Sequence, residues 1–502
     1  MPSRGGQRGD AQRPATDAVP TPLSPVPRWE RVAVAAALAY LAARLLFLAT
    51  HVDPSLPPDE VTHAGFARYQ AGALLLRADG EGSYALGLVS HRPWLNTWML
   101  ARWLALRPGE LVSDLVWMRF ANAAMAIATA LAAWAFARRA GLEAGARVLA
   151  IVLLTNVPMW SFLAASASYD NLATLLATAA FALLARWIDT HRARDGLRLA
   201  ATCAAGVLTK SALLPLAALL GAASLAARRA AAPRALLAAL ASPRSLGARG
   251  LALAGLAAGL VALAAALYGG NLVRYGVLEP AANQVLPLEA ALENRIFRQE
   301  HVLRSFRAGA IDFRQAAREI EAIEHAGDRA GAMWMLRRAL ELRRGEGEPL
   351  VGRLRYAATW TALMAERVFG VMGHRALYKE GGLAATYGAV ALAAFAALAA
   401  RFRHLSLHLR IGALVALAYA LVLMQLVNYP VYRATGLAVE AVQGRYLFPV
   451  LAPLLAALVA GARDALPVRA RTPVAVAVAA LFVLGDFPYF LLRAGPEWFG
   501  SP

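Results

Sequence analysis

Asp59, Glu60 and His63 stand close together in PPDEVTHAGF (57–66), directly after the first long apolar run of the chain. Such a set has two local uses. Acids at a helix start are favoured by the helix macrodipole, and Glu60 and His63, at i and i+3, can share a metal ion, although the sequence offers no third ligand beside them. Other ionisable residues border apolar runs: Asp170 in SASYDNLATLL, Lys210 in GVLTKSALLPL and Arg445 in VQGRYLFPVL. Any one of these alone reads as a capping or snorkelling residue. Gathered on one side of a bilayer they become a functional site, because ionisable groups at membrane depth are costly.

The elements that would gather them are transmembrane helices. Of 502 residues, 59% are hydrophobic, against about 45–50% in soluble domains. Mean hydropathy is +0.48. Apolar runs of about 18–20 residues match a hydrocarbon core of roughly 30 Å. The pattern predicts an all-α polytopic membrane protein with spans at 31–50, 118–136, 147–164 and from Asp170 to the RWIDTH segment. The apolar stretch 198–227 is interrupted at Thr209-Lys210-Ser211 and Pro215, which predicts two short spans hinged at Lys210. Further spans follow at 250–268, 383–400, 411–428, 446–462 and 473–491, about eleven in all. Residues 1–30 are rich in Pro, Arg and Gly, lack a signal-like apolar core and read as a disordered cytoplasmic tail. The organisation is then a 31–268 core with a first loop at 51–117, a mixed-charge helical insert at 269–382, and C-terminal spans over 383–492.

Arginines orient this arrangement. Arg138, Arg139 and Arg147, then Arg186, Arg192, Arg194 and Arg198, and the later clusters at 228–249, 401–410 and 463–471 all fall in alternate connectors. The positive-inside rule makes that side cytoplasmic. PPDEVTHAGF, Asp170, Lys210 and Arg445 therefore share the extracytoplasmic side. Thr62–Leu76 and the aromatic segment after Trp94 suit helices lying along the interface; the tryptophans there can serve as an interfacial belt or as a sugar-stacking platform. WTALMAERVFGVMGH, ending at His374, is assigned as an interfacial or re-entrant helix, since a full span there would invert the later topology. The net charge of +19 punctuates apolar runs rather than forming a nucleic-acid-binding face, and no nucleic-acid partner is expected. The one cysteine, Cys203, cannot form a disulfide within the chain and reads as a small core residue.

Pro58-Asp59-Glu60 with His63, the segment around Lys210, ERVFGVMGH, and Gln443-Gly444-Arg445-Tyr446 with Pro449, in this order and on one side, resemble the GT-C class of polytopic glycosyltransferases. More narrowly they resemble a bacterial GT-C-like family of largely unknown function associated with cell-envelope polysaccharide synthesis. The resemblance covers roughly residues 31–492, the insert least. It implies a GT-C-like helical bundle with extracytoplasmic interfacial helices over an outer-leaflet cavity, in a bacterial inner membrane. It also implies a polyprenyl-phosphate sugar as donor and a glycan, lipid or protein as acceptor, with inversion at the anomeric carbon as the expectation. Asp59 would be the general base or the group that orients the acceptor, with Glu60 as second acid or metal ligand. Lys210 and Arg445 would hold the donor phosphate. Asp170, His63, Tyr446 and Gln443 would support or contact substrate. The resemblance fixes neither the sugar nor which of Asp59 and Glu60 is the base. A divalent cation is compatible with the class, but no metal-ligating set and no cofactor are assigned.

The main alternative is a transporter or flippase of a lipid-linked sugar. Against it, the ionisable residues cluster at one interface rather than at the midplane, and no paired halves with matching broken helices are evident. A non-catalytic scaffold would have no need of an acid pair beside a surface helix.

Overall fold

In the computed structural model of the chain, the described residues are 25–228, 247–323, 326–346, 348–373, 375–376 and 382–500. The expected tail lies mostly outside them, as do His374 and most of the basic connector at 228–249. The tail's last residues, 28–30, instead form the first turn of a helix. Helices make up the regular structure, apart from one short antiparallel pair among the described residues, Val371–Met372 with Arg375–Ala376.

Among the described residues, eight helices are long and apolar enough to cross a membrane: Arg28–His51, Asp114–Arg139, Tyr169–Thr190, Gly247–Tyr275, Gly382–His404, Leu407–Thr435, Gly444–Ala465 and Val468–Arg493. This is an integral membrane protein. A ninth candidate is the pair Ala144–Thr155 and Pro158–Ala164, which meet at a 67° bend. Pro158 explains the bend, because a proline drives the preceding residue out of helical geometry, and Val157 is extended at φ −76°, ψ 116°.

The other two expected spans are Ala193–Thr209 and Leu213–Arg228, helices of 17 and 16 residues that flank Lys210. At about 1.5 Å per residue, each is about 25 Å long, short of a hydrocarbon core of roughly 30 Å. The break into two short helices at Lys210 is as expected; the count of full-length candidates among the described residues is eight, or nine with the bent pair, against about eleven spans expected. The seventh runs on to Tyr275, past its expected end at 268, and Leu407–Thr435 extends into the expected 429–445 connector.

The main apolar core draws Leu41, Phe136, Trp160, Phe181, Tyr419 and Phe448 from six different helices. Basic residues clamp one end of the bundle. Arg147 donates through Nε to Glu30 at 2.7 Å, Trp134 Nε1 reaches the same carboxylate at 2.8 Å, and Arg139 pairs with Asp189 at 2.9 Å. The ends bearing Asp59, Asp170 and Arg445 are the opposite ones.

Part of the insert has its own core. Arg295–Arg307, Phe313–Glu321 and Ala326–Arg344 close around Val302, Phe306, Ile320 and Leu336. Asn294 and Asp312 start the first two by accepting from the amides of Phe297 and Gln315, which satisfies donors that a helix start leaves open. Arg353–Phe369, which holds most of the expected interfacial segment, is a 17-residue helix and is not among the candidate spans. It packs against Pro158–Ala164 and Gly444–Leu447.

Candidate active site

Asp59 occupies the N-cap position of Glu60–Ala71, yet its side chain makes no capping hydrogen bond. Its backbone is left-handed, φ 61°, ψ 9°, a region that L-residues with a Cβ rarely visit and that Asp tolerates better than most. Its carboxylate meets Arg445 instead: Nη2 donates to Oδ2 at 2.8 Å, and Nη1 donates to the Pro58 carbonyl at 3.4 Å. The Asp59 side chain is 43% exposed, whereas that of Arg445 is 4% exposed.

Asp170 completes the cluster from the first turn of Tyr169–Thr190. Its Oδ2 lies 3.5 Å from Arg445 Nη1, and its Oδ1 accepts from Lys210 Nζ. Ser168 caps this helix by accepting from the Asp170 amide at 3.2 Å. Lys210 reaches Asp170 because Ala193–Thr209 ends at an extended residue, φ −156°, ψ 129°. The ammonium is flanked by the rings of Tyr169 at 4.7 Å and Tyr446 at 5.0 Å, faces that attract a cation. The result is a chain of alternating charge, Asp59–Arg445–Asp170–Lys210.

His63 lies against this chain, its ring 4.3 Å from that of Tyr169. Burial holds its imidazole below the usual histidine range, with the Asp59 and Asp170 carboxylates pulling the other way. His63 Nδ1, Arg445 Nε and Gln443 Oε1 are buried without a hydrogen-bond partner. Buried polar atoms are normally paired, so open hydrogen-bonding capacity on residues beside the charged chain suits a polar ligand.

Glu60, next to Asp59, belongs to a different arrangement. It is 1% exposed and takes both forks of Arg119, Nε at 2.9 Å and Nη2 at 2.5 Å, together with the Ala167 amide at 2.6 Å. Arg119 also donates to the carbonyls of Ala49 and Val52 at 3.0 and 2.9 Å. This knot ties the end of the first span to the loop that leads into Asp170. The metal-sharing option for Glu60 and His63 finds no third ligand: among the described residues, no group of three His, Cys, Asp or Glu side chains is placed to hold an ion.

Two glycines explain why the other motifs sit where they do. A Cβ on Gly444 would stand 2.5 Å from the Arg367 carbonyl oxygen, and Arg367 Nη1 donates back to the Val442 carbonyl. QGRY and ERVF therefore press backbone to backbone. Gly373, at φ 64°, brings its Cα close to the Leu56 carbonyl, which a Cβ would meet at 2.3 Å. The VMG turn is thus seated against the segment that leads into Pro57-Pro58-Asp59.

Sequence reasoning missed Arg119, whose signal was a lone arginine near the mouth of an apolar span opposite an acid pair. It also missed the buried pair of Arg44 and Asp486. There Asn156 accepts from Arg44 at 2.9 Å, and Ser161 donates to Asp486 at 2.8 Å. Two lone opposite charges inside separate apolar runs were the available hint.

No protein-family model matches the chain, and no curated protein matches it. Among solved structures, archaeal oligosaccharyltransferase AglB from Archaeoglobus fulgidus, in complex with an inhibitory peptide and a dolichol-phosphate, aligns at a TM-score of 0.47 and 13% identity, over 95% of this chain and 56% of that one. ArnT from Cupriavidus metallidurans bound to undecaprenyl phosphate aligns at 0.37 and 16% identity, over 87% of this chain and 78% of that one. This chain spans about half the length of the oligosaccharyltransferase. At TM-scores below 0.5 neither likeness fixes a fold family or a chemistry.

Proposed function

We propose that this protein is a GT-C-like membrane glycosyltransferase that moves a sugar from a polyprenyl-phosphate donor to a hydroxyl-bearing acceptor. The observation that carries this reading is the Asp59–Arg445–Asp170–Lys210 chain, in which Arg445 links one half-exposed carboxylate to a buried one that also holds a second cation, at the ends of apolar helices. Asp59 takes the acceptor hydroxyl proton, since a positioned carboxylate raises the nucleophilicity of an alcohol. The acceptor oxygen bonds to the anomeric carbon as its bond to the phosphate oxygen breaks, and the polyprenyl phosphate leaves with that electron pair. Arg445 and Lys210 stabilise the charge gathering on the leaving phosphate, Arg as a fork and Lys as a point charge. Asp170 holds the two cations in place. Glu60 acts through Arg119 to fix the loop rather than as a second acid. His63, Tyr446 and Gln443 line the sugar side.

A small apolar hollow lined by Leu176, Ala177, Gly206, Leu213 and Leu216 lies within two helical turns of Asp170 and Lys210. By the positive-inside rule, the arginine-rich ends face the cytoplasm. The reaction then takes place on the extracytoplasmic side of a bacterial inner membrane, in envelope glycan or glycolipid synthesis, with the 269–382 helices covering the site. The test is to reconstitute the protein in liposomes with a panel of polyprenyl-phosphate sugars and candidate acceptors. Release of polyprenyl phosphate with glycosylated product is expected. Movement of intact donor between leaflets without consumption would instead identify a transporter.

A further inference from the structure

We propose that Asp59 and the donor phosphate compete for Arg445, so that the arriving donor itself releases the base. This rests on the glycosyltransferase reading above. Arg445 has two carboxylates to choose between, and they are not equivalent. Asp170 is 3% exposed, is also bound by Lys210, and accepts from Ser168 Oγ at 3.3 Å. Asp59 is half-exposed and stands at the rim, at the N-cap of Glu60–Ala71.

The cluster of two cations and two carboxylates is close to neutral. A phosphate entering it must take a guanidinium bond from one carboxylate, and the rim acid is the one water can stabilise once released. A buried carboxylate stripped of its partners would instead carry an uncompensated charge. Arg445 Nε, buried and unpartnered, gives the phosphate a first contact before any exchange. Once Asp59 is displaced it is free to take a proton, and the acceptor hydroxyl is activated only where a donor is already bound. Donor binding therefore precedes productive acceptor binding, and once polyprenyl phosphate departs and Asp59 returns its proton to the water at the rim, the Asp59–Arg445 pair re-forms.

Removing the base should therefore improve binding of the phosphate. Purified wild type, Asp59→Asn and Asp59→Glu are titrated in detergent with a polyprenyl monophosphate and with the matching polyprenol. The left-handed backbone at residue 59 accepts Asn, and Asp59→Gly is a second charge-free variant suited to the same φ if Asn lowers the unfolding temperature. Asp59→Asn is expected to bind the phosphate about three- to tenfold more tightly than wild type, as loss of a partly exposed competing ion pair allows. Asp59→Glu, which keeps the competitor, should show no such gain, and polyprenol affinity should be the same in all. Equal or weaker phosphate binding by the charge-free variants overturns the competition while leaving the glycosyltransferase reading intact. If wild type binds the phosphate no better than the polyprenol, both fail together.

Discussion

Arg445 Nη2 donates to Asp59 Oδ2 at 2.8 Å across 386 residues of sequence. The helix start that Asp59 occupies receives nothing from its side chain. The acid is held for the arginine, and the left-handed backbone at residue 59 is part of how it is aimed. A second carboxylate, Asp170, approaches the same guanidinium at 3.5 Å, so one planar fork sets the spacing of both acids.

Arg445→Lys should lose that double grip. A lysine keeps the charge but has no planar fork, and removal of one donor aimed at developing charge costs about 100-fold or more in rate. Donor turnover at saturating acceptor is expected to fall by at least that factor with the fold retained. Turnover within threefold of wild type would remove Arg445 from the chemistry.

Glu60→Gln acts on stability first. It leaves Arg119 buried with an uncompensated charge, which typically costs about 3–5 kcal/mol. A clear drop in the detergent unfolding temperature is expected, and Glu60→Asp should recover only part of it because the bidentate geometry is lost. A Glu60→Gln protein as stable as wild type would show that the knot with Ala49, Val52 and Ala167 holds nothing.

Gly444→Ala and Gly373→Ala test the backbone contacts beneath the site. Overpacking costs about 1–3 kcal/mol, and a left-handed residue with a Cβ about 1–2 kcal/mol more. Gly373→Ala, with a φ of 64° and the Leu56 carbonyl 2.3 Å from the new carbon, should therefore be the more destabilising of the two. Thermal unfolding of both variants gives the order directly.

His63 makes stability depend on pH. Burial lowers its folded-state value below the ordinary 6.5, so the unfolded chain binds the proton more readily. The stabilisation is fully present above about 6.5 and drains away as pH falls from there toward the lowered value. Wild type should lose more unfolding temperature between pH 7.5 and 5.5 than His63→Gln, measured side by side; identical losses would mean the ring titrates as if exposed.

Much of this was legible in the sequence, and the rest has identifiable reasons for being hidden. Apolar run length located the long helices because the hydrocarbon core sets a minimum span. Thr209-Lys210-Ser211 marked a break because an ammonium interrupts an apolar run, and Pro158 similarly explains a bend that run length alone passed over. Charge sidedness put Asp59, Asp170, Lys210 and Arg445 at one end, but sidedness has no lateral resolution. That Arg445 bridges two acids, that Lys210 sits between Tyr169 and Tyr446, and that Glu60 turns away to Arg119 depend on how helices pack side by side. Adjacent in sequence, Asp59 and Glu60 look interchangeable; a single turn of backbone sends one to Arg445 and the other into the bundle.

The central claim is that the Asp59 carboxylate activates an acceptor toward a polyprenyl-phosphate sugar. Its most direct test is single-turnover release of polyprenyl phosphate from labelled donor by wild type and Asp59→Asn, each first shown to bind that donor. Loss of a general base predicts a drop of at least about 100-fold for Asp59→Asn with donor binding intact or tightened. Release by Asp59→Asn at the wild-type rate would contradict the account.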